Sequence, residues 1–447
     1  MKAIDLDMTN GPIFSKILRY AIPIMITNSL QLFFNAADTA VVGKFAGSDA
    51  LAAVGATTVL IGMLTYFLVG LSIGVNVLVA RYYGAGNPER LSRAVHTAVT
   101  MSVIGGVAVM ALSIPLTRSV LSLMGTPDKV LDMAALYMRI YCVGLPAVTV
   151  YNFGSTVLRA VGDTRRPMIY LTASGFLNVL LNLLFVIVFK MSVVGVALAT
   201  ILSQLLSAVL VINCLMKMEG AVRFTPARMG IDGEILKEIL RLGIPASIQS
   251  VLFSFSNVLI QTSVNSFGAT AVAGNTAAYD IESFIVMVME AFYQANLTFT
   301  SQNVGAGKKE RLNRILFTCL GIVGVVGVVL CALAVLFGPQ LLGLFTTDPE
   351  VVVYGMYRMR ILCSLYFVYG ILNTMVGSLR GFGYSLLPTG ITLVCLCLFR
   401  IVWVFTVFAR FRRLKVLYYS FPATWFLCLF AYIITYIIVK RRLDRQM

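Results

Sequence analysis

Four acids fall inside apolar stretches of this sequence: Asp38, Asp280, Glu282 and Glu290. Asp38 closes a polar stripe. Asn28, Gln31, Asn35 and Asp38 recur every three or four residues in the apolar run 13–42, so on a helix they share one narrow arc. A carboxylate beside amide and hydroxyl oxygens can hold a proton or a hard cation such as Na+. Asn178 and Asn182, four apart, and Thr200 offer oxygens of the same kind. The expected ion-coupling set is therefore Asp38, Asn35, Asn178, Asn182 and Thr200, with Asp38 the candidate Na+ ligand. Interhelical hydrogen bonds, worth about 0.6 kcal/mol each, are the alternative use of the amides.

The second cluster lies at 279–296. Tyr279, Glu282, Met289, Glu290, Tyr293 and Asn296 fall within about 120° of one helix face. Acids, aromatic rings and a flexible methionine suit a cavity for organic cations, through charge pairing, cation–π contact and adaptable packing. With Gln31, Asn257, Gln261 and Arg400 they form the expected substrate-cavity set. The alternative is that Glu282 or Glu290 pairs with a membrane arginine such as Arg400. Asp280 points elsewhere.

Only a membrane makes these acids costly. Of 447 residues, 59% are hydrophobic and 12% charged, with a mean hydropathy of +0.89. That composition describes a polytopic membrane protein. The net charge of +16 then reads as basic loops rather than a nucleic-acid surface. The eight cysteines lie in apolar runs without zinc-type spacing, so neither bridges nor metal ligands are expected. The single His96 makes no catalytic set, and a structural role is expected. The first run lacks a small-residue cleavage site, so no removable signal peptide is expected.

Twelve spans are expected, near 13–42, 50–79, 91–117, 131–157, 166–189, 193–216, 235–266, 272–300, 312–337, 351–379, 385–408 and 416–439. Most Lys and Arg fall on one side when both termini are placed in the cytoplasm. Arg410, Arg412, Arg413 and Lys415 are the exception. A charged stretch, 217–234, separates an N-terminal six-helix bundle (1–216) from a C-terminal one (235–447).

The halves repeat. Ile17-Leu18-Arg19 and Pro23 return as Ile239-Leu240-Arg241 and Pro245, at an offset of 222. Gly84-Ala85-Gly86 returns as Gly305-Ala306-Gly307, Met138-Arg139-Ile140 as Met359-Arg360-Ile361, and Leu158-Arg159 with Gly162 as Leu379-Arg380 with Gly383, at an offset of 221. An even number of spans per repeat makes the repeats parallel, a pattern in which two bundles enclose a central cavity. Asn35 pairs with Asn257, whereas Asp38 pairs with Ile260, and Asp280, Glu282 and Glu290 pair with Val59, Ile61 and Val69. The frame is duplicated and the membrane acids are not. The Gly-Ala-Gly turns lack the following Lys-Ser/Thr of a phosphate loop, so they read as cytoplasmic turns and no nucleotide cofactor is expected.

Several stretches, in this order, resemble the MATE family of multidrug and toxic compound extrusion transporters. They are Pro23, Asn35-Ala36-Ala37-Asp38, Val42-Gly43, Leu51-Ala52-Ala53-Val54-Gly55, Gly84-Ala85-Gly86, Leu158 to Pro167 and Gln302 to Gly307. The resemblance implies that Asp38 takes part in H+ or Na+ coupling, accompanied by Asn178, Asn182 and Thr200. Some members carry an acid where Asn182 stands. Others carry acids on the seventh and tenth helices, where this chain offers Asn257, Gln261 and Asn373.

The expectation is thus an all-α, multi-pass protein of the cell membrane. It would act as a monomer and export amphipathic or cationic organic compounds in exchange for H+ or Na+, without other cofactors. The nearest alternative is a flippase for lipids or lipid-linked precursors, for which Arg139, Arg360 and Arg400 would serve as cationic side chains. A prenyl-transferring enzyme is disfavoured because no Asp-Asp-x-x-Asp pattern occurs. A metabolite carrier of another twelve-span fold is the remaining alternative.

Overall fold

The computed structural model describes residues 6–446, and among these the regular structure is helical throughout. In chain order the helices are α1 (Ile13–Val41), α2 (Ser48–Gly84), α3 (Pro88–Leu123), α4 (Asp128–Val143), α5 (Leu145–Ala160), α6 (Arg165–Asn182), α7 (Ser192–Lys217) and α8 (Gly233–Asn265). They continue as α9 (Ala269–Gly305), α10 (Lys309–Leu336), α11 (Gly338–Gly343), α12 (Pro349–Leu362), α13 (Tyr366–Gly381), α14 (Leu386–Thr392), α15 (Phe399–Trp403) and α16 (Leu414–Gln446).

The twelve expected spans coincide with these elements. Two are bent pairs rather than single rods: α4 with α5 at 46°, and α12 with α13 at 48°. Pro146, in the first turn of α5, explains the first break. Helix α9 has the length of a span at 37 residues, but its acids and amides make it less apolar than the others.

Packing divides the chain within helices rather than at 217–234. Unit 1 contains Ile26–Gly243 with Leu6 and Asp7, and unit 2 contains Met8–Met25 with Ile244–Met447. This corrects the simple division at the linker. The switches fall at Met25/Ile26 in α1 and Gly243/Ile244 in α8, beside Pro23 and Pro245, which interrupt those helices. In unit 1, the start of α8 packs on α2 through glycines. A Cβ on Gly74 would stand 2.3 Å from the Ile239 carbonyl oxygen, and one on Gly243 would stand 2.8 Å from that of Leu71. Small residues at such crossings let two backbones approach. In unit 2, the start of α1 docks on α9: the Tyr20 hydroxyl meets Thr298 Oγ1 at 2.9 Å, and its ring packs edge-on against Phe299.

The duplicated turns are helix C-caps. Gly86, Gly162, Gly307 and Gly383 all have positive φ. Asp163 N–H reaches back to the Leu158 carbonyl at 2.9 Å, and Tyr384 N–H to that of Leu379 at 3.0 Å. This is the Schellman pattern, which favours glycine at the left-handed position. The repeat is therefore conspicuous where backbone geometry restricts the residue. The linker lies along α3. His96 Nε2 accepts from Thr225 N–H at 3.1 Å, Thr100 Oγ1 from Gly230 N–H at 3.2 Å, and Thr97 Oγ1 from Asp232 N–H at 3.1 Å. His96 is structural.

Candidate functional site

In unit 1, close packing of α1 on α6 assembles a polar cluster. A Cβ on Gly175 would stand only 1.9 Å from the Phe34 ring, and Phe34 meets Phe176 edge-on at 5.8 Å. One turn further along both helices, Asp38 reaches the amides of α6. Asn182 Nδ2 donates to Asp38 Oδ1 at 2.5 Å. The amide of Asn178, turned so that its nitrogen faces the carboxylate, donates to Asp38 Oδ1 at 2.7 Å and Oδ2 at 3.1 Å. Both asparagines are buried, and Asn182 Oδ1 has no hydrogen-bond partner.

The structure thus joins three of the five residues expected to couple ions. Thr200 Oγ1 instead donates to its own helix at the Val196 carbonyl, 3.0 Å away. Asn35 is exposed, as is Gln31. Tyr137 of α4, close enough to interact electrostatically with Asp38, was not anticipated. Its repeat mate is Arg358, so one frame position carries a neighbour of a membrane acid in each unit. The helices also depart from α geometry here. A π-helical stretch, Val42–Ala46, follows α1, and another, Leu183–Val188, begins directly after Asn182. Such stretches concentrate at functional sites.

Unit 2 treats its acids differently. Glu282 pairs with an arginine, as the alternative reading held, but the partner is Arg358 rather than Arg400. Arg358 Nη2 lies 2.7 Å from Glu282 Oε2, and its Nε donates to both carboxylate oxygens at 3.1 Å. Asn275 accepts from Arg358 Nη1 at 2.9 Å and from the Tyr418 hydroxyl at 3.0 Å, and donates to Gln261 at 2.9 Å. Glu282 has no exposed surface. A carboxylate so enclosed is a structural ion pair, and this corrects its assignment to a cation cavity.

The shared arc of α9 is likewise mostly core. Met289 is buried against Gly327 and Gly370. Tyr293 is buried with its hydroxyl 2.6 Å from Arg380 Nη1, and Asn296 ties α9 to the Thr374 carbonyl of α13 at 2.5 Å. Tyr279 is exposed, with its ring 5.6 Å from the Arg358 guanidinium. Glu290 is half-buried under the electrostatic influence of Arg380.

Arg400, on α15, is 1% exposed and pairs with no acid among the described residues. Its Nη1 is 3.5 Å from Asn257 Oδ1, and the Phe421 ring lies 4.2 Å from the guanidinium carbon. Asn257 itself is half-buried. Arg139 and Arg360 are exposed, so of the three arginines considered for an anionic substrate only Arg400 is interior.

Comparison with known proteins extends these findings. The MatE family model matches twice, over residues 23–184 and 245–406. The "Probable multidrug resistance protein YoeA" of Bacillus subtilis is 30% identical over 381 residues, covering 84% of this chain and 82% of the relative. The "Probable multidrug resistance protein NorM" of Thermotoga maritima is 28% identical over 409 residues, with coverages of 89% and 86%. Among solved structures, an outward-facing multidrug resistance MATE family transporter superimposes with a TM-score of 0.90 at 23% identity, covering 100% of this chain and 99% of the other.

Proposed function

This chain belongs to the MatE family of multi-pass membrane transporters, which are not enzymes, and we propose that it is a secondary multidrug efflux antiporter. It exports amphipathic organic compounds, cations among them, in exchange for H+ or Na+ across the cell membrane, as a monomer with both termini in the cytoplasm. The names of its relatives support the efflux reading. The observation that carries the coupling is the Asp38 carboxylate, held in a membrane helix by amide donors from Asn178 and Asn182 with no cationic partner among the described residues.

The geometry suggests how binding one ion moves a helix. An ionised Asp38 satisfies several N–H donors at once. Protonation turns one oxygen into a donor and leaves an amide N–H facing it. A buried donor without an acceptor costs about 1–3 kcal/mol, enough to shift a two-state equilibrium by roughly fivefold to more than a hundredfold. α1 can respond by bending at Pro23, where a backbone hydrogen bond is missing. Na+ would instead require the amides to turn their oxygens inward, and Asn182 Oδ1 is already buried and unpartnered. Both routes neutralise the same carboxylate.

The test is dye-cation efflux from proteoliposomes under a pH gradient and, separately, a Na+ gradient. Wild type should respond to one of them, and Asp38→Asn should express normally yet lose gradient-driven efflux. Full transport by Asp38→Asn would overturn the coupling role.

A further inference from the structure

The helices that carry the ion cluster of unit 1 have repeat mates in unit 2, and those mates carry a buried base. The 221-residue offset maps Asn178 to Phe399, Val179 to Arg400 and Thr200 to Phe421, while Asn35 maps to Asn257. The side chains that meet in unit 2 at those positions are Asn257, Arg400 and Phe421. The backbone agrees with the mapping. The π-helical stretch Leu183–Val188 maps onto Val404–Phe408, and a second one, Leu393–Leu398, ends immediately before α15. Asp38, Asn178 and Asn182 themselves map to Ile260, Phe399 and Trp403, so the matching helices carry an acid among amide donors in unit 1 and, at neighbouring positions, a base between an amide carbonyl and a ring in unit 2.

Arg400 is unlike the other buried arginines of unit 2. Arg358 has Glu282 at 2.7 Å. Arg380 donates to Tyr293 and Gln249, with Glu290 acting on it electrostatically. Arg400 has one long contact to an amide and ring faces at 4.2 and 5.7 Å; its Nε, like that of Arg380, has no partner. Burying a guanidinium without a counter-charge is costly, and cation–π contact offsets only part of that cost. A planar guanidinium with free N–H groups matches the geometry of a carboxylate or phosphate. The half-buried Asn257 is the one weak hydrogen bond that an arriving anion would have to displace.

We propose that Arg400 is an anion subsite: it binds the carboxylate or phosphate of a transported amphipathic compound, whose apolar body packs beside Phe421. The substrates then include organic anions and zwitterions as well as cations. The inference rests on the transport reading for its purpose, but the binding itself is independent of coupling.

Both tryptophans of the chain, Trp403 and Trp425, flank this site. Trp403 lies one helical turn beyond Arg400, and the Trp425 ring is 6.2 Å from that of Phe421. Intrinsic fluorescence of the purified protein therefore reports on it. The probes are 4-bromobenzoate, 4-bromophenyl phosphate and 4-bromobenzylammonium, whose bromine quenches tryptophan. The anions should quench wild type saturably. Arg400→Gln should weaken that binding at least ~10-fold, the effect of one lost charge-assisted hydrogen bond, with Arg400→Lys in between. Lysophosphatidate competing more strongly than the aromatic anions would assign the subsite to lipid phosphate, and the reverse order to soluble substrates. Either result supports an anion subsite.

Equal anion affinity in wild type and Arg400→Gln would overturn the proposal, and so would the absence of saturable quenching in wild type. If Arg400→Gln unfolds, Arg400→Lys against wild type decides alone: weaker anion binding with 4-bromobenzylammonium unaffected supports the proposal, and unchanged anion affinity overturns it. Failure here alongside Asp38-dependent dye efflux removes the anion subsite and leaves the antiporter. Anion binding without gradient-driven efflux does the opposite.

Discussion

Asp38 and Glu282 are both carboxylates in membrane helices, and their partners separate their roles. Glu282 is held by a buried arginine, and removing one member of such a pair leaves the other charge uncompensated. Glu282→Gln should therefore lower stability by about 3–5 kcal/mol, read as a large drop in the thermal unfolding midpoint in detergent. Asp38→Asn, nearly isosteric, sets one N–H against an amide donor at a cost of about 1–3 kcal/mol, so its midpoint should fall less than that of Glu282→Gln. The sequence announces both acids, because each is expensive in an apolar helix. It also shows the i, i+4 spacing of Asn178 and Asn182. It does not reveal that Asn182 finds Asp38, or that Glu282 finds Arg358 rather than Arg400, because these partners are 144 and 76 residues apart. Helical phase alone placed Met289 and Tyr293 on a shared face, and that face proved to be the packed interface with α13.

At the scale of elements, the ion cluster depends on how closely α1 approaches α6. Gly175 makes that approach possible, so Gly175→Val should push Phe34 away, separate Asp38 from Asn178 and Asn182, and abolish coupled efflux. Gly105→Val, at a glycine with nothing within 4 Å of its would-be Cβ, should transport normally. The measurement is gradient-driven efflux normalised to the amount of folded protein. Eleven of the twelve spans, counting each bent pair once, are apolar enough to be legible from hydropathy, and α9 is the exception; the duplicated turns were legible from glycine. The π-helical stretches beside Asn182 and Arg400 were not, since no residue type marks an i→i+5 hydrogen bond. The bend between α12 and α13 was hidden for a related reason: no proline lies between Leu362 and Tyr366.

On the scale of the whole molecule, the chain repeats its frame and varies its charges. The two units place comparable helices around an acid in one case and a base in the other. Contacts change units beside Pro23 and Pro245, which interrupt α1 and α8. The charged stretch 217–234 lies within unit 1, and His96, Thr97 and Thr100 hold its backbone against α3. His96→Ala should release it, so limited trypsin digestion after Arg223 and Arg228 should run faster than in wild type, with transport little changed. Gel analysis of the two half-chain fragments checks this. The duplication was readable from four short motifs. The exchange of helix ends between units was not, because Ile17 and Ile239 belong to matching motifs whichever unit they pack in.

The central claim is that Asp38 exchanges its ion for substrate. Its most direct test is ion movement itself, followed with a pH indicator, and separately a Na+ indicator, trapped in proteoliposomes. Substrate is added in the absence of any imposed gradient. The account predicts that substrate moving one way drives one of these ions the other way in wild type, and that Asp38→Asn shows no such flux. Substrate-driven ion flux that persists in Asp38→Asn would contradict it.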